Sequence, residues 1–517
     1  MQSIIDSING IIWSPALIYL CLGAGLFYSI LTRFVQVRLF AEMWRLLFSG
    51  NSSDKGISSF QALAVSLSGR VGTGNIAGVA AAIGFGGPGA VFWMWVVAFL
   101  GAATAYTESA LGQIYKEEHE GQYRGGPAFY FEKAMGQKWF AWIFAISTII
   151  ACGVMLPGVQ SNGIGNAAEL AFGTGEIIST TMGDLSLTKI MTAISIVLVL
   201  SFIIFGGVKR IASFTQVVVP FMALTYIVIA CSVIALNLEA LPGVISAIFT
   251  DAFTPMAGMG AAIGWGVKRG VYSNEAGQGT GPHAAAAAEV DHPAQQGLVQ
   301  SFSVYIDTLF VCSATAFMIL ITGAYNVHGV GEGIFLVQNL ASEIAANSPA
   351  YTQTAVEQVL PGVGKPFIVL ALFFFSFTTI LAYYYIAETN LAYLKRTVKL
   401  PGFDFLLKLT LLAATFYGTV KTANLAWGLG DIGVGLMAWL NIIGILIIFF
   451  ISKPAVKALK DYEAQRKAGV KEYTFNPEKL GIEGADFWAK RYARQSGKSK
   501  AKEQEKEPEK ELEKEIA

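Results

Sequence analysis

The sequence carries little charge for its length. Only 14% of its 517 residues are Asp, Glu, Lys or Arg, whereas soluble domains average about 25%. The four cysteines all lie in apolar segments and the four histidines are scattered, so neither type has the spacing of a disulfide framework or a metal centre. No nucleophile–base pair or GxxxxGK[ST] loop is present, so nothing indicates an enzyme or an ATP-driven pump.

Apolar residues and glycine dominate the chain. Hydrophobic residues make up 54% of it, and its 55 glycines suit helices that pack closely in a membrane. The apolar segments are predicted to be helices, because an open sheet edge cannot face lipid. We therefore expect an all-α polytopic membrane protein with eleven transmembrane helices. They are predicted at about 10–31, 57–83, 88–114, 139–165, 188–206, 211–236, 257–285, 295–322, 365–394, 403–420 and 424–451.

Lysine and arginine are distributed unevenly between the connections. Fourteen lie in 32–56, 115–138, 207–210 and 395–408, against three on the opposite side. Because cytoplasmic connections are enriched in these residues, we expect a multi-pass protein of the cytoplasmic (inner) membrane. Its N-terminus is then outside and its C-terminus in the cytoplasm.

The composition changes after the last predicted span. Phe475, Phe487 and Trp488 indicate that part of 453–495 packs onto the cytoplasmic face. From Ser496 onwards the chain is almost entirely Lys and Glu, which predicts a disordered or loosely helical tail.

Two predicted spans are interrupted by polar residues and glycines. Ser66–Gly78 reads SLSGRVGTGNIAG, and Trp265–Pro282 reads WGVKRGVYSNEAGQGTGP. Glycine costs a helix interior about 1 kcal/mol, and a charge at the bilayer centre costs several. Such runs persist in a membrane only where protein buries them or where they line a cavity. A pair of interrupted helices indicates a transport site near the midplane.

The spans also suggest an internal repeat. Without the first span, the other ten divide into two groups of five, each opening with an interrupted span. The openings Arg70–Asn75 and Arg269–Asn274 are weakly alike, with chance similarity as the alternative. Five spans per half make the halves antiparallel, which is an inverted repeat. The predicted regions are 1–56 with the extra helix, 57–256 and 257–452 with the repeats, and 453–517 as a cytoplasmic C-terminal segment.

Two long motifs resemble a known family. GRVGTGNIAGVAAAIGFGGPGAVFWMWVVAFLGAATAYTESALGQIY (69–115) and YSNEAGQGTGPHAAAA (272–287) are similar to the alanine or glycine:cation symporters, also called sodium:alanine symporters, and the resemblance extends over most of 10–490. It implies a LeuT-type fold and symport of small neutral amino acids, alanine or glycine, with sodium or with protons. The implied partners are the amino-acid substrate and the lipid bilayer, with no nucleic acid and no obligatory protein partner.

The breaks suggest where an amino acid binds. Free amides after the first break suit a carboxylate, and Thr73, Gly74 and Asn75 lie there. Gly277, Gly279 and Thr280 form the corresponding break in the seventh span. Close helix packing is the alternative for these glycines.

Three further residues are candidates for the pocket. Gln160 and Asn162 of the fourth span are expected to face it, with interhelical hydrogen bonds as the alternative. Trp265 is expected to cap the pocket and limit the substrate side chain, with core packing as the alternative.

The resemblance also implies a sodium site. In the LeuT-type plan the eighth core helix, here the ninth span, supplies hydroxyls to a sodium ion held against carbonyls of the first broken helix. We expect Thr378 and Thr379 to act with the carbonyls near Gly69 and Gly72. Hydroxyls bonded back to their own helix are the alternative.

Charged residues inside spans are functional candidates. Those expected to lie deep are Arg70, Glu275, Asp307 and Asp431. Those expected nearer the cytoplasmic mouth are Glu108, Lys268, Arg269 and Glu388. Arg70 with a carboxylate could form a gate, although the sequence does not identify the partner. An ion channel and a carrier for another small zwitterion such as β-alanine are the competing functions.

Overall fold

The structure is a computed structural model, and a few short segments of the chain lie outside the part that it describes. The Lys/Glu-rich tail falls outside from 497 onwards. The described residues are 2–48, 52–53, 55–180, 183–254, 258–331, 333–399 and 401–496.

Helices make up nearly all of the apolar sequence, as predicted. In chain order they are α1 (Gln2–Ile12), α2 (Pro15–Leu31), α3 (Val35–Arg38), α4 (Phe40–Leu47), α5 (Ser59–Arg70), α6 (Val79–Gly86), α7 (Gly89–Ile114), α8 (Pro127–Met135), α9 (Lys138–Ile150), α10 (Leu156–Phe172), α11 (Leu187–Ile204), α12 (Gly207–Leu236), α13 (Leu241–Asp251), α14 (Gly258–Asn274), α15 (Gly281–Ala287), α16 (Pro293–Val304), α17 (Ser313–Thr322), α18 (Ala350–Val359), α19 (Gly364–Lys395), α20 (Phe403–Val420), α21 (Ala423–Ser452) and α22 (Pro454–Lys467).

Shorter elements complete the fold. Three antiparallel hairpins lie in connections between helices: β1 (Glu117–His119) with β2 (Gln122–Arg124), β3 (Ile177–Thr180) with β4 (Gly183–Ser186), and β5 (Asn326–His328) with β6 (Phe335–Gln338). Three π-helical segments join consecutive helices: Gly74–Gly78, Ala151–Met155 and Tyr305–Cys312. A short 3₁₀ helix covers Leu238–Ala240.

Many of the helices are long enough to cross a membrane. In the described ranges, eight helical segments have the length and hydropathy of a membrane span. The helices α1 and α2, which are bent by 41° relative to each other, form a ninth span if the pair is counted as a single span. The two interrupted spans predicted from the sequence are each made of two helices. The first consists of α5 and α6, and the second of α14 and α15.

Burial separates inner helices from outer ones. In the segment Pro293–Thr322, 72% of the most apolar stretch of 18 residues is buried. In the segment Lys209–Leu236, the corresponding share is 28%. The outer helices expose large apolar side chains such as Phe221 and Leu224, as lipid-facing helices do. The interrupted helices therefore lie among the buried ones: all residues of α15 are buried, as are ten of the twelve residues of α5.

Small residues let the inner helices approach closely. A Cβ on Gly112 of α7 would lie 2.7 Å from the carbonyl oxygen of Pro282, at the start of α15. A Cβ on Gly266 of α14 would lie 2.5 Å from the carbonyl oxygen of Ala90 in α7. Since these distances are too short for any side chain, glycine fixes how α7 packs against both parts of the second interrupted span.

The chain after α21 folds back onto other helix ends. Glu463 of α22 forms ion pairs with Arg33 at 2.8 Å and Arg38 at 2.6 Å. Farther along, the Trp488 indole nitrogen donates to the Gln113 carbonyl oxygen at the end of α7, at 2.7 Å. The part of 453–495 with aromatic residues thus packs onto the folded body, as the sequence indicated.

Lys116 lies beneath this C-terminal segment, just beyond α7, and is completely buried. Its ammonium group is over the rings of Tyr123, Phe487 and Trp488, at 4.3, 4.7 and 5.4 Å from their centroids. It also donates to the carbonyl oxygen of Ala288 at 2.9 Å. Burial lowers the pKa of Lys116 to about 7, because a low-dielectric environment disfavours the charged form.

Candidate functional site

The first interrupted span begins with α5. A capping box starts this helix: the Ser58 hydroxyl accepts from the Gln61 amide at 3.2 Å, and the Gln61 side chain accepts from the Ser58 amide at 3.0 Å. The helix ends at Arg70, and Val71 and Gly72 leave the helical path before the π segment begins. The chain is therefore broken where the sequence predicted.

Thr73, Asn75 and Gln160 meet at this break, and all three are buried. The Gln160 side-chain oxygen accepts from the Thr73 amide, and the Asn75 side-chain oxygen accepts from the Gly72 amide, both at 2.8 Å. A Cβ on Gly72 would lie 2.6 Å from both Gln160 Oε1 and Thr379 Oγ1, so only glycine fits. Gln160 thus lies where the sequence placed it.

Asp307 is a buried carboxylate that contacts the residues of this break. It accepts from the side-chain amide of Asn75 at 2.6 Å, from the Ser273 hydroxyl at 3.0 Å and from the Thr308 hydroxyl at 2.7 Å. It therefore joins the first break to the end of α14. From the sequence, Asp307 was predicted only to be a deeply placed charged residue. The side-chain amide of Asn75, which was expected to bind the substrate, donates to Asp307 in this structure.

The two adjacent threonines of α19 point in different directions. Thr379 donates towards the carbonyl oxygens of Ser68 at 2.7 Å and Val71 at 3.3 Å, in the last turn of α5 and at the break. Thr378 bonds back to carbonyls of its own helix, at 2.9 and 3.0 Å. Ser376 reaches Thr73 at 2.6 Å. Thr379 and Ser376, but not Thr378, are therefore directed at the break.

The carbonyls beside Thr379 differ from the predicted pair by one residue. Ser68 and Val71 take the places expected for Gly69 and Gly72. The Gly72 carbonyl instead accepts from the Asn75 amide at 3.1 Å. Gly69 makes room for another group, since a Cβ there would lie 3.2 Å from a carboxylate oxygen of Glu275.

The second break spans the six residues between α14 and α15. Glu275, Gly277 and Gly279 have φ values of +56°, +85° and +81°, a region that glycine adopts readily. The Glu108 carboxylate accepts from the amides of Gly277 at 3.3 Å and Gly279 at 3.1 Å. It also accepts from the Asn441 side chain at 2.7 Å. Glu108 thus binds amides that no helix satisfies.

These contacts change two predictions. Gly277 and Gly279 direct their amides at Glu108, and Thr280 donates to Glu275 at 2.8 Å, so their observed partners are protein carboxylates. Glu108 itself is fully buried at the break.

Asn162 and Trp265 lie away from the first break. Asn162 donates to carbonyl oxygens at the end of α20, at 2.9 and 2.7 Å, which is the interhelical alternative. Trp265 stacks on Phe85 at 4.6 Å, and nine residues of helix, about 13 Å, separate it from Asn274. The stacking on Phe85 is the core-packing alternative, and a role for Trp265 as a cap stays a prediction.

Tyr272 and Trp427 pack against the π-helical segment that follows the first break. Their rings are 4.9 Å apart and both side chains are buried. A Cβ on Gly74 would lie 3.1 Å from Tyr272, and one on Gly78 would lie 3.5 Å from Trp427. Neither aromatic residue was singled out, because nothing local in the sequence distinguishes it from other aromatics in the spans.

A buried ion cluster lies beside these rings. Arg269 binds Asp431 through two hydrogen bonds of 2.9 Å, and Lys268 binds the same carboxylate at 2.7 Å. The Arg269 guanidinium is 4.5 Å from the centre of the Trp427 ring. Lys268 and Arg269 lie in α14, before the second break, and their place relative to the cytoplasmic mouth stays a prediction. Asp431 is deep, as predicted.

Glu388 keeps its expected place near a mouth of the bundle. It binds Arg124 of β2 through hydrogen bonds of 2.6 and 2.8 Å. This bidentate pair connects α19 to the hairpin after α7.

Among the described residues, Arg70 has no ion pair with a carboxylate of the kind that a gate would require. Its guanidinium donates to the Gln300 carbonyl oxygen at 3.1 Å and to the Ser303 hydroxyl. Both partners are neutral.

Comparison with known proteins identifies the family. The model of the sodium:alanine symporter family matches residues 1–477. The chain belongs to the sodium:alanine symporter family. It is therefore a carrier, and neither a channel nor an enzyme, which confirms the prediction.

Similar proteins match along nearly their whole length. A sodium/proton-dependent alanine carrier protein of Bacillus sp. (strain PS3) is 51% identical over 87% of this chain and 98% of its own. YrbD of Bacillus subtilis (strain 168), whose name proposes the same activity, is 56% identical over 96% and 99%. The sodium/alanine symporter AgcS of Methanococcus maripaludis is 32% identical over 89% and 97%.

A solved structure supports the fold. MhsT, crystallised with L-phenylalanine, superposes with a TM-score of 0.56 at 12% identity, covering 79% of this chain and 97% of MhsT. At this identity the likeness concerns the fold alone, which is that of a LeuT-type transporter.

Proposed function

We propose that this protein imports small neutral amino acids, alanine and glycine, together with sodium across the cytoplasmic membrane. The observation that carries this proposal is the bridge that Asp307 makes between Asn75 at the first break and Ser273 in the last turn of α14, just before the second break. It brings a carboxylate, an amide and hydroxyls together in the buried region where both helices are interrupted. The names of the related alanine carriers support the substrate class.

The proposed architecture has eleven spans, an extra helix followed by two inverted repeats of five. The eight or nine long spans together with the two interrupted ones support this number. The LeuT-type neighbour supports the repeat. The Lys and Arg bias supports an outer N-terminus and a cytoplasmic C-terminus in the inner membrane.

Two groups of oxygen atoms are proposed as cation sites. One consists of Thr379 Oγ1 and the carbonyls of Ser68 and Val71. The other consists of the Asp307 carboxylate with the Ser273 hydroxyl. Hard cations prefer such oxygen ligands, and a sodium ion beside Asp307 would offset its buried charge.

The substrate is proposed to lie beside Thr73, Gly74 and Gln160, under the Tyr272–Trp427 pair. Backbone amides at the start of a helix suit its carboxylate, and the Asp307 carboxylate suits its ammonium group. The two aromatic rings are proposed to limit the size of the substrate's side chain. Gly277 and Gly279 are proposed to shape this pocket through Glu108 rather than to bind the substrate directly. Thr280 is proposed to hold Glu275 on the cytoplasmic side of the pocket, outside the central site.

Two ion pairs are proposed to close the pathway alternately. Arg269 with Asp431 joins α14 to α21 on the outer side, and Arg124 with Glu388 joins β2 to α19 on the cytoplasmic side. Opening one side requires breaking one bidentate pair while the other persists.

A proteoliposome uptake panel tests the proposal. Alanine, glycine, β-alanine and glutamine are offered under an imposed sodium gradient, and separately under a proton gradient. We expect saturable alanine and glycine uptake with sodium and little uptake of glutamine. Uptake driven only by protons would make the proton the coupling ion, as the names of the sodium/proton-dependent relatives allow. No alanine uptake under either gradient would refute the proposal.

A further inference from the structure

Arg70 is a buried cation without an anionic partner. Its side chain is 1% exposed, and its Nε and Nη2 atoms have no hydrogen-bond partner among the described residues. No carboxylate oxygen in the described part of the chain lies within 4.0 Å of the guanidinium. Burying an unpaired charge is costly, so a guanidinium in this position calls for an anion at some stage of the transport cycle.

Glu275 offers the opposite charge close by. It is 2% exposed, and one carboxylate oxygen accepts from Thr280 while the other has no partner among the described residues. Arg70 lies against Gly281, the residue after Thr280, since a Cβ on Gly281 would lie 2.9 Å from the Nη2 atom of Arg70. The unpartnered cation and the half-satisfied carboxylate thus both lie against Thr280–Gly281.

Other unpartnered polar atoms continue from this point towards the beginning of α5. The hydroxyls of Ser66 and Ser109 have no partner among the described residues, nor do the side-chain amide of Gln296 and the amide nitrogen of Gln300. A helix bundle seldom leaves so many buried polar groups unsatisfied. A cavity of about 10 Å³, lined in part by Ser66, Glu275 and Gly281, lies here, roughly the space of one water molecule. Unpartnered polar atoms and a small cavity therefore lie together in a region that would have to widen before it could serve as a route for the substrate.

We propose that Arg70 and Glu275 form a second, release site for the zwitterionic substrate, between the central site and the cytoplasmic face. When the route widens, the guanidinium binds the carboxylate of the amino acid and Glu275 binds its ammonium group. The free nitrogen atoms of Arg70 suit a carboxylate, which accepts in a fork geometry. This inference rests on the proposed amino-acid transport and on the proposed orientation of the chain.

The experiment measures the alanine KM separately on the two sides of the membrane. Arg70→Gln and Glu275→Gln are compared with the wild type in right-side-out and inside-out vesicles under a sodium gradient. We expect the cytoplasmic KM to rise about tenfold, which corresponds to about 1.4 kcal/mol, while the outer KM stays within about twofold. Arg494→Gln, which removes an exposed cytoplasmic charge, should leave both values unchanged.

Several results would overturn the release site. Equal changes of KM on both sides would indicate a structural role. A double variant that transports better than either single variant would show that Arg70 and Glu275 bind each other instead. If the Gln variants do not fold, as judged by size-exclusion chromatography, Arg70→Lys and Glu275→Asp provide the same side-specific comparison, and unchanged cytoplasmic KM values in both would refute the site.

The proposed function can fail independently. If the wild type shows no sodium-driven alanine uptake, the central proposal is wrong whatever the variants do. If wild-type uptake is present and the cytoplasmic KM does not respond, only the release site is wrong.

Discussion

Thr378 and Thr379 show how one step along a helix decides a role. Consecutive helical residues differ by about 100° in direction, so only one of two neighbours can face α5. Thr379 faces it and contacts the Ser68 and Val71 carbonyls as well as the Phe375 carbonyl of its own helix. Thr378 contacts only carbonyls of its own helix among the described residues. Chemically identical side chains therefore make a matched pair for testing the cation site.

Thr379→Ala is expected to raise the sodium concentration for half-maximal alanine uptake by about tenfold. The reason is the loss of one oxygen ligand, since a contact to a charged group is worth about 1.5–3 kcal/mol. Sodium titration of uptake in proteoliposomes measures the effect. Thr378→Ala is the control and should leave the sodium dependence unchanged. Thr379→Ser keeps the hydroxyl and should have a sodium dependence close to that of the wild type. Equal shifts for the two alanine variants would remove Thr379 from the cation site.

At the scale of an element, the second break depends on Glu108. Its carboxylate replaces the carbonyls that a continuous helix would offer to Gly277 and Gly279. Asn441 of α21 joins the same network, donating both to Glu108 and to the Gly277 carbonyl. The shape of the unwound segment is therefore set by a residue on another helix.

Glu108→Gln is expected to destabilise the protein and to reduce transport. An amide side chain accepts fewer hydrogen bonds and presents its own N–H groups to donors, and each buried group left unpaired costs about 1–3 kcal/mol. Thermal unfolding in detergent and the maximal rate of alanine uptake measure the two effects. Glu118→Gln is the control, because Glu118 is exposed and pairs only with Lys55, a contact of little weight. A Glu108→Gln protein as stable and active as the control would contradict this role.

At the scale of the whole molecule, the C-terminal segment ties several helix ends together. Arg491 pairs with Glu289 at 2.5 Å, close to the end of α15, while Trp488 binds the end of α7. Lys116 lies between these contacts and carries its charge in a completely buried position.

The pH dependence of stability should reveal this lysine. The pKa of Lys116 is about 7 in the folded protein, and an unfolded lysine titrates near 10.4. The unfolded chain therefore binds more protons between these values, and folded stability rises with pH across that window, on the order of a few kcal/mol. The melting temperature of the wild type relative to Lys116→Met should increase from about pH 6.5 to about pH 9. A constant difference between the two proteins would contradict the buried charge.

Much of this architecture follows from local patterns. Apolar runs predict the helices, and both breaks are recognisable because glycines and polar residues interrupt otherwise apolar segments, as around Gly72 and Gly277. Thr73, Asn75 and Gln160 were found because a polar residue in a span is a local signal. That signal identified the first break and its neighbours correctly.

The remaining errors concern contacts between distant parts of the chain. Trp265 and Tyr272 both precede the second break, and only the packing of α14 shows that Tyr272 is the one beside Gly74. Glu108 looked peripheral because it lies near the end of a span, whereas its burial depends on how α7 packs against the second break. Helix rotation and helix packing are not encoded in short sequence windows.

The three π-helical segments have a consequence for how the family can vary. Each holds one residue more per turn than the helix around it, so the side chains beyond it are rotated by about 100° from an uninterrupted α-helix. Two of them contain Asn75 and Asp307, which face each other at the first break. Deleting one residue from either segment would leave a helix of nearly the same length but turn a different set of side chains towards the substrate. We therefore expect a one-residue deletion in these positions to change specificity more than it changes the fold.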